Sequence, residues 1–346
     1  MPTIKDIATL AGVSIATVSR VLNNLGGYSE ETRKKVMAAA ESMNYYRNEM
    51  AAGLKKSSAH IIGLIMPTSP TLFYGDIIEG LESEAQKHGY GVIIAHASAD
   101  GINLSEIISL MAERRVEGLV IASMALVQNV ITQINGLPFP VVLVSTKSDK
   151  SIPYIKVDDE SASFDATEYL IHHGYEKIAI AGPNISDQIA GVPRINGYKR
   201  AMQKHHLPVD PDWIFYGTFS FESGIQAMKY YFQLSNRPEA VFSVSDDTAI
   251  GIIVTATQEG LQVPKDIAVI GYDNTRVAEM SNPPLTAISQ PFFEMGAKAG
   301  RKIIDAVESN QPIESELLPH TIVERRSVSF NIASIYGLRK RIRKPN

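Results

Sequence analysis

Residues 3–24 read TIKDIATLAGVSIATVSRVLNN, and the spacing of their small, apolar and hydroxyl residues decides the first domain. Thr3 with Asp6 matches an N-cap followed by an acid at the third helical position, a capping box. Ile4, Ile7, Ala8 and Ala11 follow at i, i+3, i+4 and i+7, one helical face. Gly12 breaks that helix, and Ser14 is the next N-cap. Val18, Val21 and Leu22 form the apolar stripe of a second helix. Small Ala8 allows close approach, so the pair predicts a helix-turn-helix, with an ordinary helical hairpin as the plain alternative. In a helix-turn-helix the second helix lies in the major groove and turns its N-terminal residues toward base edges. Here those are Ser14, Ile15, Ala16, Thr17 and Ser19, with Arg20 one turn on. Hydroxyls suit phosphates or bases, apolar side chains meet thymine methyls, and arginine suits guanine or phosphate.

Outward from this stretch, Asn23, Asn24, Gly26 and Gly27 read as a loop. Ser29 caps a third helix with Val36, Ala40 and Met43 inward. The charge is uneven. Residues 1–60 carry net +3, residues 61–330 net −12 and residues 331–346 net +5, within a total of −4. A basic head and tail on an acidic body point to a polyanion, or to plain solvated surface. The 346 residues allow two or three domains. There is no cysteine, which excludes disulfides, thiolate metal sites and cysteine nucleophiles. No apolar run reaches membrane-spanning length, and MPTIKDIATLAG lacks the pattern of a signal peptide, so a cytoplasmic protein with no membrane partner is expected.

The stretches IKDIATLAGVSIATVSRVLN (4–23), YSEETRKKVMAAAESMNY (28–45) and NEMAAGLKK (48–56) together resemble the head of the lactose-repressor (LacI/GalR) family of bacterial transcription regulators. The last stretch resembles the family's hinge helix. Two turns of helix are marginal alone in water, so this segment is expected to fold only against a partner chain and DNA. The resemblance implies that Leu54 wedges into the minor groove, where insertion unstacks a base step and kinks the duplex; a simple core contact is the other reading of that leucine. The expected DNA-binding set is Thr3, Lys5, Ser14, Ile15, Ala16, Thr17, Ser19, Arg20, Asn23, Ser29, Leu54 and Lys55. Arg33, Lys34, Lys35 and Lys56 are further candidate phosphate partners.

In residues 61–330 strands and helices alternate. IIGLIM (61–66), VIIAH (92–96), GLVIA (118–122), VVLVS (141–145), KIAIAG (177–182), AVFSVS (240–245) and IAVIGYD (267–273) read as short buried strands. Amphipathic helices lie between them, among them 75–87, 103–114, 162–172, 194–205 and 247–259. This alternation means parallel sheets covered by helices. His88-Gly89-Tyr90 and His173-Gly174-Tyr175 form a short internal echo that fits two similar halves. The predicted fold is thus a small all-α helix-turn-helix head plus an α/β periplasmic-binding-protein-like core of two doubly wound parallel-sheet subdomains. The expected boundaries are 1–47 for the head, 48–58 for the hinge, 59–330 for the core and 331–346 for a disordered basic tail. Within the core, about 60–160 and 291–320 form the N-subdomain, and about 161–290 and 321–330 the C-subdomain.

Ligands of doubly wound sheets bind beyond the carboxyl ends of the strands. Polar and aromatic residues at those ends include Phe73, Tyr74, Asp187, Arg194, Phe219, Ser245, Asp246, Asp247, Asp273 and Asn274. Aromatic faces with carboxylates and a guanidinium suit a polyhydroxylated ligand. The family resemblance narrows the effector set to Phe73, Tyr74, Arg194 (in RINGY), Phe219, Asp246 and Asp273 (in GYDN). Each also has a structural reading; Arg194 and Asp273 would form an internal ion pair. Where the family often has Asn or Asp, Ser245 stands here.

No P-loop, G-x-G-x-x-G, G-x-S-x-G or H-E-x-x-H occurs, so no enzyme, catalytic residue or cofactor is expected. Adjacent His172/His173 and His205/His206 point about 100° apart on a helix and chelate poorly. Asp158/Asp159 and Asp246/Asp247 show no third ligand, so no metal is expected. The sequence therefore reads as a homodimeric repressor of a carbohydrate-utilisation operon. It would bind a palindromic double-stranded operator and respond to a small-molecule effector, a saccharide or sugar phosphate. Within that class the alternative is a catabolite-control-type global regulator assisted by a phosphorylated carrier protein. A transport receptor would share the core but has no use for residues 1–60, and a sugar-acting enzyme needs a base or nucleophile that does not stand out.

Overall fold

The computed structural model describes residues 2–43, 45, 59–68, 71, 73–148 and 152–331. The chain divides into two compact units, Met1–Ala59 and His60–Asn346. In the first, α1 (Ile4–Ala11) starts with the Thr3–Asp6 capping box, and Gly12 ends it at φ +66 with its N–H on the Ala8 carbonyl. Only glycine takes that left-handed geometry without a Cβ penalty, which is why the turn into α2 (Ile15–Leu22) can be so short. Ser14 caps α2 and Ser29 caps α3 (Glu30–Ser42). Ile7, Ala8, Val18, Val21, Val36, Ala39 and Ala40 form their shared core.

The second unit begins with β1 (Ile61–Pro67), α4 (Tyr74–Lys87), β2 (Gly91–Ala97), α5 (Leu104–Glu113), β3 (Gly118–Ala122), α6 (Gln128–Asn135), β4 (Val141–Val144) and β5 (Tyr154–Val157). It continues with α7 (Asp159–His172), β6 (Ile178–Ala181), α8 (Gly191–Lys204), β7 (Ile214–Phe215), α9 (Phe221–Gln233), β8 (Ala240–Ser243), α10 (Asp246–Gln258), β9 (Ala268–Asp273), α11 (Arg276–Met280) and β10 (Thr286–Ser289). Last come α12 (Phe292–Ser309), β11 (Glu316–Leu318) and β12 (Thr321–Val323).

Two six-stranded sheets result, in the orders β11-β5-β4-β3-β1-β2 and β12-β10-β9-β8-β6-β7. Every pairing is parallel except β10 with β12. Each sheet is covered on both faces, which explains its unbroken apolar strands. In each sheet the strand order reverses once, between β1 and β3 and between β6 and β8, and these are the switch points where ligands sit. The chain passes between sheets three times, at α7, before α12 and between β11 and β12, so each subdomain is discontinuous in sequence. The two tyrosines of the echo, Tyr90 and Tyr175, play the same part: each follows a helix end and is buried in the core before the next strand.

Several short strands escape the sequence reading. β5, β10, β11 and β12 have only three or four residues each, too few to show a period, and β5 carries Lys156 inside an apolar run. Two helices start earlier than expected. α7 starts at Asp159, because Asp158 caps it and accepts the Glu160 and Ser161 N–H groups. α8 starts at Gly191, with Pro193 accommodated in its first turn.

Candidate DNA-binding head and effector cleft

The head presents the first turn of α2 to solvent. Ile15 is 51% exposed, and Ala16 and Arg20 are also exposed, while Val18 and Val21 hold the opposite face in the core. The hydroxyls at Thr3, Ser14 and Ser29 make the helix caps that the sequence predicts. The Ser14 Oγ accepts the Thr17 N–H at 3.0 Å and lies 2.8 Å from the Thr17 hydroxyl. The Thr3 hydroxyl donates to Asp6 at 2.7 Å, and Ser29 accepts the Thr32 N–H at 3.1 Å. Asn23 donates to the Ser19 carbonyl at 2.6 Å. These five side chains thus bond at the helix ends, and Ile15, Ala16 and Arg20 stand exposed on α2. Lys5 and Lys34 are exposed, whereas Arg33 and Lys35 pair with Glu30 and Glu31 at 3.1 and 2.8 Å. Leu54, Lys55 and Lys56 lie outside the described residues.

The effector candidates converge at the carboxyl ends of both sheets. From the first sheet, Tyr74 opens α4 and packs on Phe73, ring centroids 4.5 Å apart. Phe73 in turn stacks flat on Phe292, 4.4 Å away at 9°. The Tyr74 phenol is pushed up to about 12, chiefly by burial, with a further contribution from the charge of Asp273 in the second sheet. The strand-end surfaces of the two sheets therefore come near each other at Tyr74 and Asp273. Backbone strain collects along these ends: Ser123, Ser145, Phe219, Asp273 and Asn274 all have positive φ, the pattern of a scaffold holding side chains in place at a site.

The structural alternative for Arg194 is an ion pair with Asp273, but its ion-pair partner is Asp159. Its Nε and second guanidinium nitrogen lie 2.9 and 2.7 Å from Asp159 Oδ1, and another N–H donates to the Val244 carbonyl. Lys156 Nζ lies 2.6 Å from the other Asp159 oxygen, and the Tyr272 hydroxyl donates to Asp159 at 3.1 Å. Asp159 and Lys156 are each 4% exposed. Burial alone would raise the Asp159 carboxyl, but Arg194 and Lys156 hold it below the usual carboxylate range. The guanidinium lies over the Tyr272 ring, 3.7 Å from its centroid, with Phe219 at 5.6 Å. Two of its five N–H donors have no partner among the described residues, enough for a ligand oxygen.

The comparisons with known proteins follow these two surfaces. Residues 3–48 match the model of "Bacterial regulatory proteins, lacI family", and residues 167–328 match that of a "Periplasmic binding protein-like domain". Catabolite control protein A of Priestia megaterium is 34% identical over 94% of this chain and 98% of its own. The chain belongs to the LacI family. The transcriptional repressor PurR of Vibrio campbellii is 33% identical over 96% of this chain and 100% of its own. Among solved structures, a Lac repressor dimer bound to operator and an anti-inducer superimposes with a TM-score of 0.84 at 28% identity, covering 95% of this chain and 99% of that one. A CelR–cellobiose complex gives 0.72 at 27% identity, covering 95% and 100%. The protein is accordingly a DNA-binding transcriptional regulator with an effector-binding core. No helix among the described residues is long and apolar enough to cross a membrane.

In this LacI-family regulator two cleft acids are held against their charge. Asp273 is buried and accepts from Gln290 Nε2 at 2.7 Å. Burial pushes its carboxyl up to about 7, against the opposing pull of Arg194 and of the Gln290 bond. Asp246 is pushed up by burial and then by the Asp273 charge. One of its oxygens accepts the Thr275 N–H and hydroxyl at 2.6 and 2.9 Å; the other is buried with no hydrogen-bond partner among the described residues. A carboxyl whose pKa rises on folding contributes most at low pH, and that contribution is lost as pH climbs through about 7. Asp273→Asn is therefore expected to flatten the fall in thermal midpoint between about pH 5 and pH 8. An Asp273→Asn protein that keeps the wild-type slope would place the ionising group elsewhere.

Sequence reasoning missed Lys156, Tyr272 and Gln290. The signal for Lys156 was a lysine within YIKV, three residues before Asp159. Tyr272 stood in GYDN but read as part of a buried strand. Gln290 follows β10, a strand too short to announce itself. Ser245 is a helix cap: it accepts the Thr248 N–H at 3.1 Å and donates to the Phe219 carbonyl at 2.7 Å. Asp187 likewise caps its own loop, accepting the Ile189 and Ala190 N–H groups.

Proposed function

We propose that this regulator is a homodimeric repressor of a carbohydrate-utilisation operon, acting in the cytoplasm, whose grip on a palindromic operator is set by a saccharide or sugar phosphate in the core cleft. The observation that carries the reading is the cleft's chemistry: Arg194 with donors to spare among the described residues, two buried carboxyl groups whose oxygens can accept hydroxyl hydrogens, and aromatic faces at Tyr74 and Phe219. Such a set suits a polyhydroxylated ligand. The CelR neighbour holds cellobiose. Phe73, Tyr74, Arg194, Phe219, Asp246 and Asp273 form the effector set. Phe73 contributes by fixing Tyr74 through its stack on Phe292. The head contributes Ile15, Ala16 and Arg20 as readers, Lys5 as a phosphate partner, and Thr3, Ser14, Thr17, Ser19, Asn23 and Ser29 at the helix ends. Leu54 serves as the minor-groove wedge and Lys55 as a further phosphate contact. Effector binding shifts the population between two core arrangements, of which one lets paired hinge segments fold on DNA.

A thermal-shift screen of saccharides and sugar phosphates tests this. A ligand at a hundred times its dissociation constant adds about 2.7 kcal/mol of stability, and the same ligand must alter operator binding. A screen in which no sugar stabilises the chain would sink the effector class. Exchanging Ile15 and Ala16 for other residues should move the preferred half-site, whereas Lys34→Ala should weaken all sites alike. Binding-site selection that returns the same half-site after the Ile15-Ala16 exchange would mean another surface reads the bases.

The 34% identity to Catabolite control protein A favours a second reading, a global regulator assisted by a phosphorylated carrier protein. A protein partner that strengthens operator binding, with no response to sugars, would select it.

A further inference from the structure

Glu168, His172 and His205 each offer a ligand atom, and the three atoms lie within 4.8 Å of one another. Glu168 and His172 stand four residues apart on α7, so they share a helical face. His205 follows the last residue of α8. The two helices run side by side and touch so closely that a Cβ at Gly197 would clash with the Glu160 carbonyl. That approach brings His205 Nε2 to 2.6 Å from Glu168 Oε1. The His172 and His205 rings meet edge to face with centroids 5.6 Å apart.

Adjacent histidines cannot chelate together, but the fold draws one from each adjacent pair. The remaining two are placed differently. His173 turns its Nδ1 to the Tyr169 carbonyl at 2.8 Å and stacks on Phe330. His206 is exposed in a positive-φ position beyond the helix end.

We propose that Glu168, His172 and His205 hold a divalent transition-metal ion of the zinc class. Two imidazoles and one carboxylate are the mixed nitrogen and oxygen donors that such ions take, with a water completing the tetrahedron. Calcium and magnesium take oxygen donors and would gain little from the imidazoles. Lys204 Nζ lies 2.8 Å from the same Glu168 oxygen and competes for it, but its side chain is 57% exposed and can swing away. His172 is exposed, and its ligand atom already lies within 4.8 Å of those of the other two. The bound ion would cross-link the C-terminal ends of α7 and α8. Asp159 and Arg194 already join the two helices near their N-terminal ends, so the ion would fix the pair that carries the cleft's buried charge network.

Titration calorimetry of the full, untagged chain with zinc chloride in metal-free buffer tests the site. One zinc per chain is expected. His172→Ala, His205→Gln and Glu168→Gln should each weaken binding at least tenfold, and Lys204→Gln should tighten it several-fold by removing the competitor. His206→Asn should leave it unchanged. Zinc should raise the thermal midpoint of the wild-type chain and not those of His172→Ala and His205→Gln, whose metal-free midpoints show whether they fold. Bound Co(II) should show the intense visible absorption of a tetrahedral site in the wild-type chain and not in His172→Ala or His205→Gln. A chain that takes up no zinc, or whose zinc affinity survives both His172→Ala and His205→Gln, overturns the proposal.

Discussion

Operator affinity is expected to fall by about 10³–10⁵-fold between roughly 50 and 200 mM salt, if about 6–10 phosphates are contacted per dimer. Each contacted phosphate releases condensed counterions, so the slope counts ion contacts whatever the base sequence. The head supplies enough of them. Lys5, Arg20 and Lys34 are exposed on it. Arg33 and Lys35 are tied only to Glu30 and Glu31 across open, mostly solvated pairs. Such pairs are worth at most about 1 kcal/mol, so both cations are available to DNA. A filter-binding titration measures the slope, and a value near zero would show that this surface does not meet the phosphates. Lys34→Ala should reduce the slope by about two, one for each protomer of the dimer.

Asp159→Ala is expected to destabilise the core by about 3–5 kcal/mol, because it leaves Arg194 and Lys156 as buried cations without the carboxylate that pairs them. Effector binding should be lost with it, since Asp159 holds the guanidinium between Tyr272 and Phe219. The neighbouring Asp158→Ala should cost only about 1 kcal/mol, the worth of an N-cap. Urea unfolding of the two variants compares them directly. Equal losses would mean that the ion network adds nothing beyond helix capping. In Arg194→Ala, some of any lost effector affinity would likewise reflect a core rearranged around Asp159. Asp273→Asn is a better probe of the ligand itself, since it keeps the acid's shape and breaks no ion pair.

The head was open to reading because what shapes it is local. Thr3, Ser14 and Ser29 sit at helix starts, Gly12 at a turn, and Val18 and Val21 on one face; each lies within four residues of the group it serves. The alternation of the core was open to reading for a related reason. A strand buried on both faces must be apolar throughout, and amphipathic helices must lie between such strands. Phe73, Arg194, Asp246 and Asp273 could then be placed near the cleft simply from their position after strands.

Pairing was not open to reading in the same way. Nothing nearby in the chain separates Asp158 from Asp159, yet one caps a helix in solvent and the other is the buried counter-ion of residues 3 and 35 positions away. Likewise His172 and His173 are interchangeable as letters. Only the packing of α7 on α8 turns the first toward His205 and the second toward Phe330. Helix caps, turns and apolar periods are short-range preferences that the order of residues states outright. Which charge is buried with which, and which imidazole meets which, depends on contacts between segments distant in the chain, and these exist only once the sheets have formed and their helices have packed.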